Sequence, residues 1–152
     1  MKILMVCLGN ICRSPLAEGI LRAKLQSDQV VVDSAGTAAY HVGQLPDARS
    51  IEVARKHGID ITNQHARKFL VEDFEKFDII FAMDRSNYQN LISMARNAHD
   101  KEKVHLILNA LDVDSNHEVP DPYYGDEDGF ETVFNMLDEA CEGIIAKIQH
   151  KL

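Results

Sequence analysis

The chain has 152 residues, 45% hydrophobic and 26% charged, the size and composition of one globular domain with a single sizeable core. Lys and Arg number 16 against 24 Asp and Glu, and the net charge of −8 excludes general nucleic-acid binding and marks a well-solvated acidic surface. No apolar run approaches the roughly 18 residues of a membrane span. The three cysteines, an odd number without framework spacing, suit a reducing cytoplasm rather than a disulfide scaffold. The opening MKILMVCLGNICR is basic and apolar, but Gly9, Asn10 and Arg13 interrupt it too early for a secretory signal.

The first predicted element is a buried strand over 2–6 (KILMV), which leads into VCLGNICRSP at 6–15. Asn10 suits a left-handed backbone position that curls this loop. Ser14 is placed either to cap the following helix or to donate to a nearby thiolate, with Pro15 at the first helical position. Glu18 falls one place too late for a capping box. The helix shows as a stripe of Ala17, Ile20, Leu21 and Leu25. A strand follows at 30–32 (VVV), then a helix over 47–57 that stops at Gly58, a C′ residue. A third strand spans 78–82 (DIIFA), and Asp84 is the N-cap of a helix carrying Tyr88, Leu91, Ile92 and Ala95 on one face. A fourth strand spans 104–108 (VHLIL). The last helix is the clearest, with Phe130, Val133, Phe134, Leu137, Cys141, Ile144, Ile145 and Ile148 on a single face.

There are no repeats, low-complexity tracts or Gly/Ser linkers, so residues 1–152 read as a single domain. Short strands that are apolar on both faces and alternate with helices imply βαβ units. The expected fold is α/β: a three-layer, doubly wound open sheet of about four parallel strands with helices on both faces. Ligands of such sheets bind beyond the carboxyl ends of the strands, which is where Cys7 stands.

Three chemistries could use Cys7 and Cys12. Zinc wants paired C-x2-C spacing or clustered histidines, neither of which is present, so no metal is expected, and no organic cofactor. Cys141 lies on the core stripe of the last helix and reads as a small, inert hydrophobe. Nucleophilic catalysis fits Cys7. A loop that winds into a helix N-terminus turns successive N–H groups toward one point, and that cradle stabilises both an anion and a thiolate at its mouth. Arg13, six residues on, supplies a planar fork matched to two phosphate oxygens. C-x5-R-S on a strand–loop–helix is thus a device for thiolate attack on a bound phosphate monoester.

The residues 6–15 together with DSAGT at 33–37, MD at 83–84 and DPYYG at 121–125 closely resemble the low-molecular-weight protein tyrosine phosphatases over nearly the whole chain. The resemblance implies hydrolysis of tyrosine-phosphorylated protein substrates, with phosphate or another oxyanion in the active site. It assigns Cys7 as nucleophile, Arg13 and the loop N–H groups (Leu8, Gly9, Asn10, Ile11, Cys12, Ser14) to the phosphate oxygens, and Asp121 as general acid and then base. Pro122 keeps Asp121 out of helical geometry on a loop after the fourth strand. By the same resemblance Asn10, Ser14, Ser34 and His65 hold the curl of the loop, supported by Asp84. Tyr40, Tyr123 and Tyr124 wall an aromatic slot with Leu8 and Ile11 on its floor, and Tyr123 and Tyr124 are themselves candidates for phosphorylation.

Two other activities share this cysteine loop. Related arsenate reductases relay electrons through two further cysteines near 80–90, where this chain has none. A protein-arginine phosphatase branch carries Thr at the position of Ile11, so the apolar residue favours a phenyl phosphate. Cys12 is either packing beneath the loop or a resolving thiol that traps oxidised Cys7 as a disulfide, a form of redox regulation.

Overall fold

Strand β1 (Lys2–Cys7) divides its side chains between two cores, as the period of two along a strand requires. The computed structural model describes residues 1–25, 28–112, 114–125 and 127–149. Its further elements are α1 (Arg13–Leu25), β2 (Val31–Gly36), α2 (Ala48–Lys56), α3 (Asp73–Lys76), β3 (Ile79–Ala82), α4 (Arg85–Met94), α5 (Ala98–Glu102), β4 (Val104–Leu106) and α6 (Glu127–Ile148). The four strands form one parallel sheet in the order β2-β1-β3-β4. Ile3, Met5 and Cys7 face a core built with Leu16, Ile20 and Leu21 of α1 and Phe130, Phe134 and Leu137 of α6. Leu4 and Val6 face a second core with Phe69, Phe74, Phe77 and Leu91. Helices therefore cover both faces, and β1, central and apolar from Ile3 onward, carries Cys7 to the carboxyl edge of the sheet.

Several expected boundaries shift for physical reasons. β2 runs on past the apolar VVV through Asp33 and Ser34 to Gly36, because its register with β1 extends from Lys2↔Val31 to Cys7↔Gly36. Its polar end faces the site. β4 stops at Leu106, and Ile107–Ala110 forms a 3₁₀ turn in place of more strand. Helix α1 starts at Arg13, so Ser14 and Pro15 lie inside its first turn and Ser14 caps nothing. Asp84 does cap α4, accepting from Asn87 N at 2.8 Å. Gly58 follows α2 with φ +78°, the left-handed C′ position that favours glycine. No helix among the described residues is long and apolar enough to cross a membrane.

Candidate active site

The loop between β1 and α1 is fixed from every side by backbone bonds. Thr37 N donates to Cys7 O and Ala38 N to Leu8 O, both at 2.9 Å, and Asp47 N donates to Ile11 O at 2.7 Å. Gly36 makes this approach sterically feasible: a Cβ there would stand 2.7 Å from Leu8 O and 3.1 Å from Asn10 N. That contact is the physical content of the glycine in DSAGT. Asn10 takes the left-handed conformation its type suggested, with φ 58°.

Buried hydrogen bonds link Asn10, Ser14, Ser34 and Glu18 behind the loop. Asn10 Nδ2 donates to Ser14 Oγ (2.7 Å) and Ser34 Oγ (3.0 Å), and Asn10 Oδ1 accepts from Arg67 N (3.0 Å). Ser34 Oγ donates to Glu18 Oε1 at 2.7 Å. Ser14 Oγ already accepts from Asn10, which leaves its own proton for Cys7 Sγ at 3.0 Å. Of the two roles open to Ser14, the bond to the sulfur is the one formed. Glu18 is only 2% exposed, and its burial, against the Ser34 bond and Arg22, pushes its carboxyl up to about 7.

Arg13 is 2% exposed, a full-length cation inside the protein. Its Nη1 donates to Asp84 Oδ2 (2.6 Å) and Val119 O (2.9 Å), and Nη2 stands 3.6 Å from Asp121 Oδ2. Burial works against this charge more than any other single influence. The Cys7 sulfur, the Asp84 bond and Asp121 outweigh it, so the guanidinium stays above its ordinary range and is charged throughout. Asp84 thus serves twice, as helix cap and as the anchor that aims Arg13.

Asp121 comes to the same place from the far end of the chain. Val119 N donates to Met83 O at 2.8 Å and Arg85 N to Glu118 Oε2 at 2.8 Å, which straps the start of its loop to the end of β3. Tyr123 N donates to Asp121 Oδ1 at 3.0 Å and sets the carboxylate orientation. A cleft of about 110 Å³ results, lined by Cys7, Leu8, Gly9, Ile11, Cys12, Arg13, Tyr40, Asp121, Tyr123 and Tyr124, with His41 as an addition that the sequence reading missed. Leu8 is 39% exposed and belongs to the surface of the cleft, whereas Ile11, at 8%, is buried beneath. Tyr123 and Tyr124 meet edge to face, ring centroids 4.9 Å apart.

One expected support is displaced by a single residue. His65 is exposed and takes no part in the bonds behind the loop, while its neighbour Gln64 turns inward and donates from Nε2 to Pro15 O at 3.1 Å. Glu18, Gln64 and His41 carry no sequence periodicity that marks them. His41 could have been suspected only from its place beside Tyr40. Cys12 is 4% exposed, and its thiol is pushed up, foremost by burial and then by Asp47. Cys141 donates to Ala17 O at 3.8 Å, and burial raises its thiol to about 12. No group of three or more His, Cys, Asp or Glu among the described residues could hold a metal ion.

A family model described as low molecular weight phosphotyrosine protein phosphatase matches residues 2–152. The low molecular weight phosphotyrosine protein phosphatase of Gallus gallus is 42% identical over 152 residues, covering 96% of this chain and 94% of that one. Among solved structures, a protein tyrosine phosphatase from Entamoeba histolytica superposes with a TM-score of 0.93 at 41% identity, covering 100% of this chain and 99% of that one. A Drosophila arginine phosphatase superposes with a TM-score of 0.89 at 35% identity, covering 98% of each chain.

Proposed function

The chain belongs to the low molecular weight phosphotyrosine protein phosphatase family, whose members are hydrolases, and from that premise we propose that Cys7, Arg13 and Asp121 carry phosphotyrosine hydrolysis through a cysteinyl-phosphate. Cys7 Sγ attacks phosphorus in line, forming an S–P bond as the bond to the phenolic oxygen breaks. Asp121, protonated, gives its proton to the departing phenolate. As a carboxylate it then takes one from the water that attacks phosphorus and releases phosphate and the thiolate. The buried Arg13 fork and the loop N–H groups hold the equatorial oxygens through both steps. Residues 1–152 act as one phosphatase unit in a reducing cytoplasm.

The observation that carries this reading is the convergence of Cys7, Arg13 and Asp121 on one cleft, with the Ser14 hydroxyl 3.0 Å from the sulfur. Phosphoarginine is the second reading, favoured by the likeness to the Drosophila arginine phosphatase. Ile11, buried and lining the cleft, supports the flat apolar ring over a charged guanidinium. Matched peptides decide: kcat/KM is expected to be at least about tenfold higher for phosphotyrosine than for phosphoarginine. Cys7→Ser is expected to be inactive on both, and unchanged turnover in that variant would overturn the nucleophile assignment. Cys12, alongside, captures oxidised Cys7: the sulfenic acid that peroxide forms on Cys7 condenses with the Cys12 thiol to a disulfide and water.

A further inference from the structure

Arg49 spans the gap between the two loops that must act together. It lies in the first turn of α2, and its Nε and Nη2 grip Asp47 Oδ1 and Oδ2, each at 3.0 Å, as a two-point fork. The same guanidinium donates from Nη2 to Tyr123 O at 2.8 Å and from Nη1 to Gly125 O at 3.1 Å. Its Cζ lies over the rings of Phe130 and Tyr123, 4.5 Å and 5.7 Å from their centroids. On the other side, Asp47 N donates to Ile11 O at 2.7 Å and Ser50 Oγ to Cys12 O at 3.3 Å. The N-cap and first turn of α2 are therefore bonded to two carbonyls of the phosphate loop through Asp47 N and Ser50 Oγ, and to the Asp121 loop through the Arg49 side chain.

The consequence for Asp121 is direct. Upstream, its loop is anchored at Glu118 and Val119; downstream, Arg49 holds Tyr123 O and Gly125 O. Tyr123 N in turn donates to Asp121 Oδ1, so the residue whose carbonyl Arg49 grips is the one that orients the carboxylate. We propose that Arg49 is a positioning residue for the reaction: by clamping the Tyr123–Gly125 backbone to the Asp47 cap beside the phosphate loop, it holds Asp121 over the leaving-group oxygen. The inference rests on Asp121 being the general acid. Lysine would not substitute, because an ammonium lacks the planar array that meets two carbonyls and a carboxylate at once.

The test uses kcat/KM, which reports the first phosphoryl transfer, on phosphotyrosine and on 2,4-dinitrophenyl phosphate, whose leaving group needs no proton. Arg49→Ala is expected to lose about tenfold on phosphotyrosine and less than about twofold on the dinitrophenyl ester. Arg49→Lys should behave like the alanine variant, and free guanidinium should restore part of the loss in Arg49→Ala alone. Combined with Asp121→Asn, Arg49→Ala should cost nothing further on phosphotyrosine. An equal loss on both esters, or a loss that adds fully to that of Asp121→Asn, would overturn the proposal. If Asp121→Asn itself fails to discriminate the esters, the general-acid reading falls instead, so the two failures are distinct. Arg49→Lys keeps charge and bulk and guards against a misfolded alanine variant; a thermal midpoint within a few degrees of the parent confirms that it does.

Discussion

The phosphate loop and the Asp121 loop meet in one cleft yet are built on opposite plans. Around the phosphate loop Asn10, Cys12, Arg13 and Ser14 are each at most 4% exposed, and the hydrogen bonds close on one another. In the other loop the Asp121 side chain is 37% exposed and Tyr124 is 95% exposed, with order supplied by anchors on either side. The difference follows from what each does. Donors to a phosphate gain by being fixed before the reaction, since any reorientation adds to the barrier. A group that must protonate a leaving oxygen and later admit water cannot be sealed in. The half that stabilises charge is buried, and the half that moves protons is open.

The largest expected effect comes from breaking the buried half at Asn10. Asn10→Ala removes donors to Ser14 and Ser34 and the acceptor for Arg67 N, and leaves a non-glycine residue at φ 58° without the local bonds that favour it. A loss of about hundredfold in kcat/KM is expected, nearly the same for phosphotyrosine and dinitrophenyl phosphate, together with about 2–4 kcal/mol of stability in urea titration. Asn10→Gly should recover part of the stability, by relieving the backbone, and little of the activity. A loss confined to the poor leaving group would erase the contrast between the two loops.

The same contrast governs what could be read in advance. Strand β1, helix α6 and the C-x5-R loop are legible because burial on both faces, a helical period and a fixed Cys–Arg spacing leave marks at fixed intervals. Asp84 is legible because an N-cap is a local device. Residues 61–71 have no period, so nothing in NQHAR says which side chain turns inward; only the bond from Gln64 to Pro15 O, 49 positions away, decides between Gln64 and His65. Helices α3 and α5, of four and five residues, are too short for periodicity and are tied to each other across the sequence, Lys103 to Phe74 O and Arg96 to Glu75. Arg49 reads as one more surface cation until the two loops it joins are seen together.

A smaller effect comes from Glu18, at the back of the buried network. Its carboxyl sits at about 7 against an ordinary 4.5, so the folded protein binds its proton more tightly than the unfolded chain. The sign is then fixed: its contribution to stability is complete below about pH 4.5, falls as pH rises, and is gone above about pH 7. At roughly 1.4 kcal/mol per pH unit the fall is at most about 3.5 kcal/mol. Arg22 at 2.9 Å and Arg67 favour the ionised form, and Asp33 opposes it. Glu18→Gln keeps an acceptor for Ser34 and removes the titration. Its stability relative to the parent is expected to climb between pH 4.5 and 7 in urea unfolding. A flat difference across that window would show that Glu18 is ionised at little cost.

The smallest effect on resting activity belongs to Cys12, whose burial ties redox behaviour to the same architecture. Its thiol is held protonated foremost by burial and then by Asp47, so it neither competes with Cys7 nor attacks readily. Cys12→Ser, close to isosteric, should change kcat/KM by less than about threefold. Capture of the Cys7 sulfenic acid needs Cys12 as a thiolate, a minor form here. The rate of disulfide formation after one equivalent of peroxide should therefore rise about tenfold per pH unit between 7 and 8. Dithiothreitol should then restore the parent fully and Cys12→Ser only in part, because its unprotected sulfenic acid proceeds to the sulfinic form. Equal recovery in the two proteins would reduce Cys12 to packing. In that case the cage that presets the phosphate donors, around a cysteine that is 3% exposed, would be the nucleophile's one remaining protection.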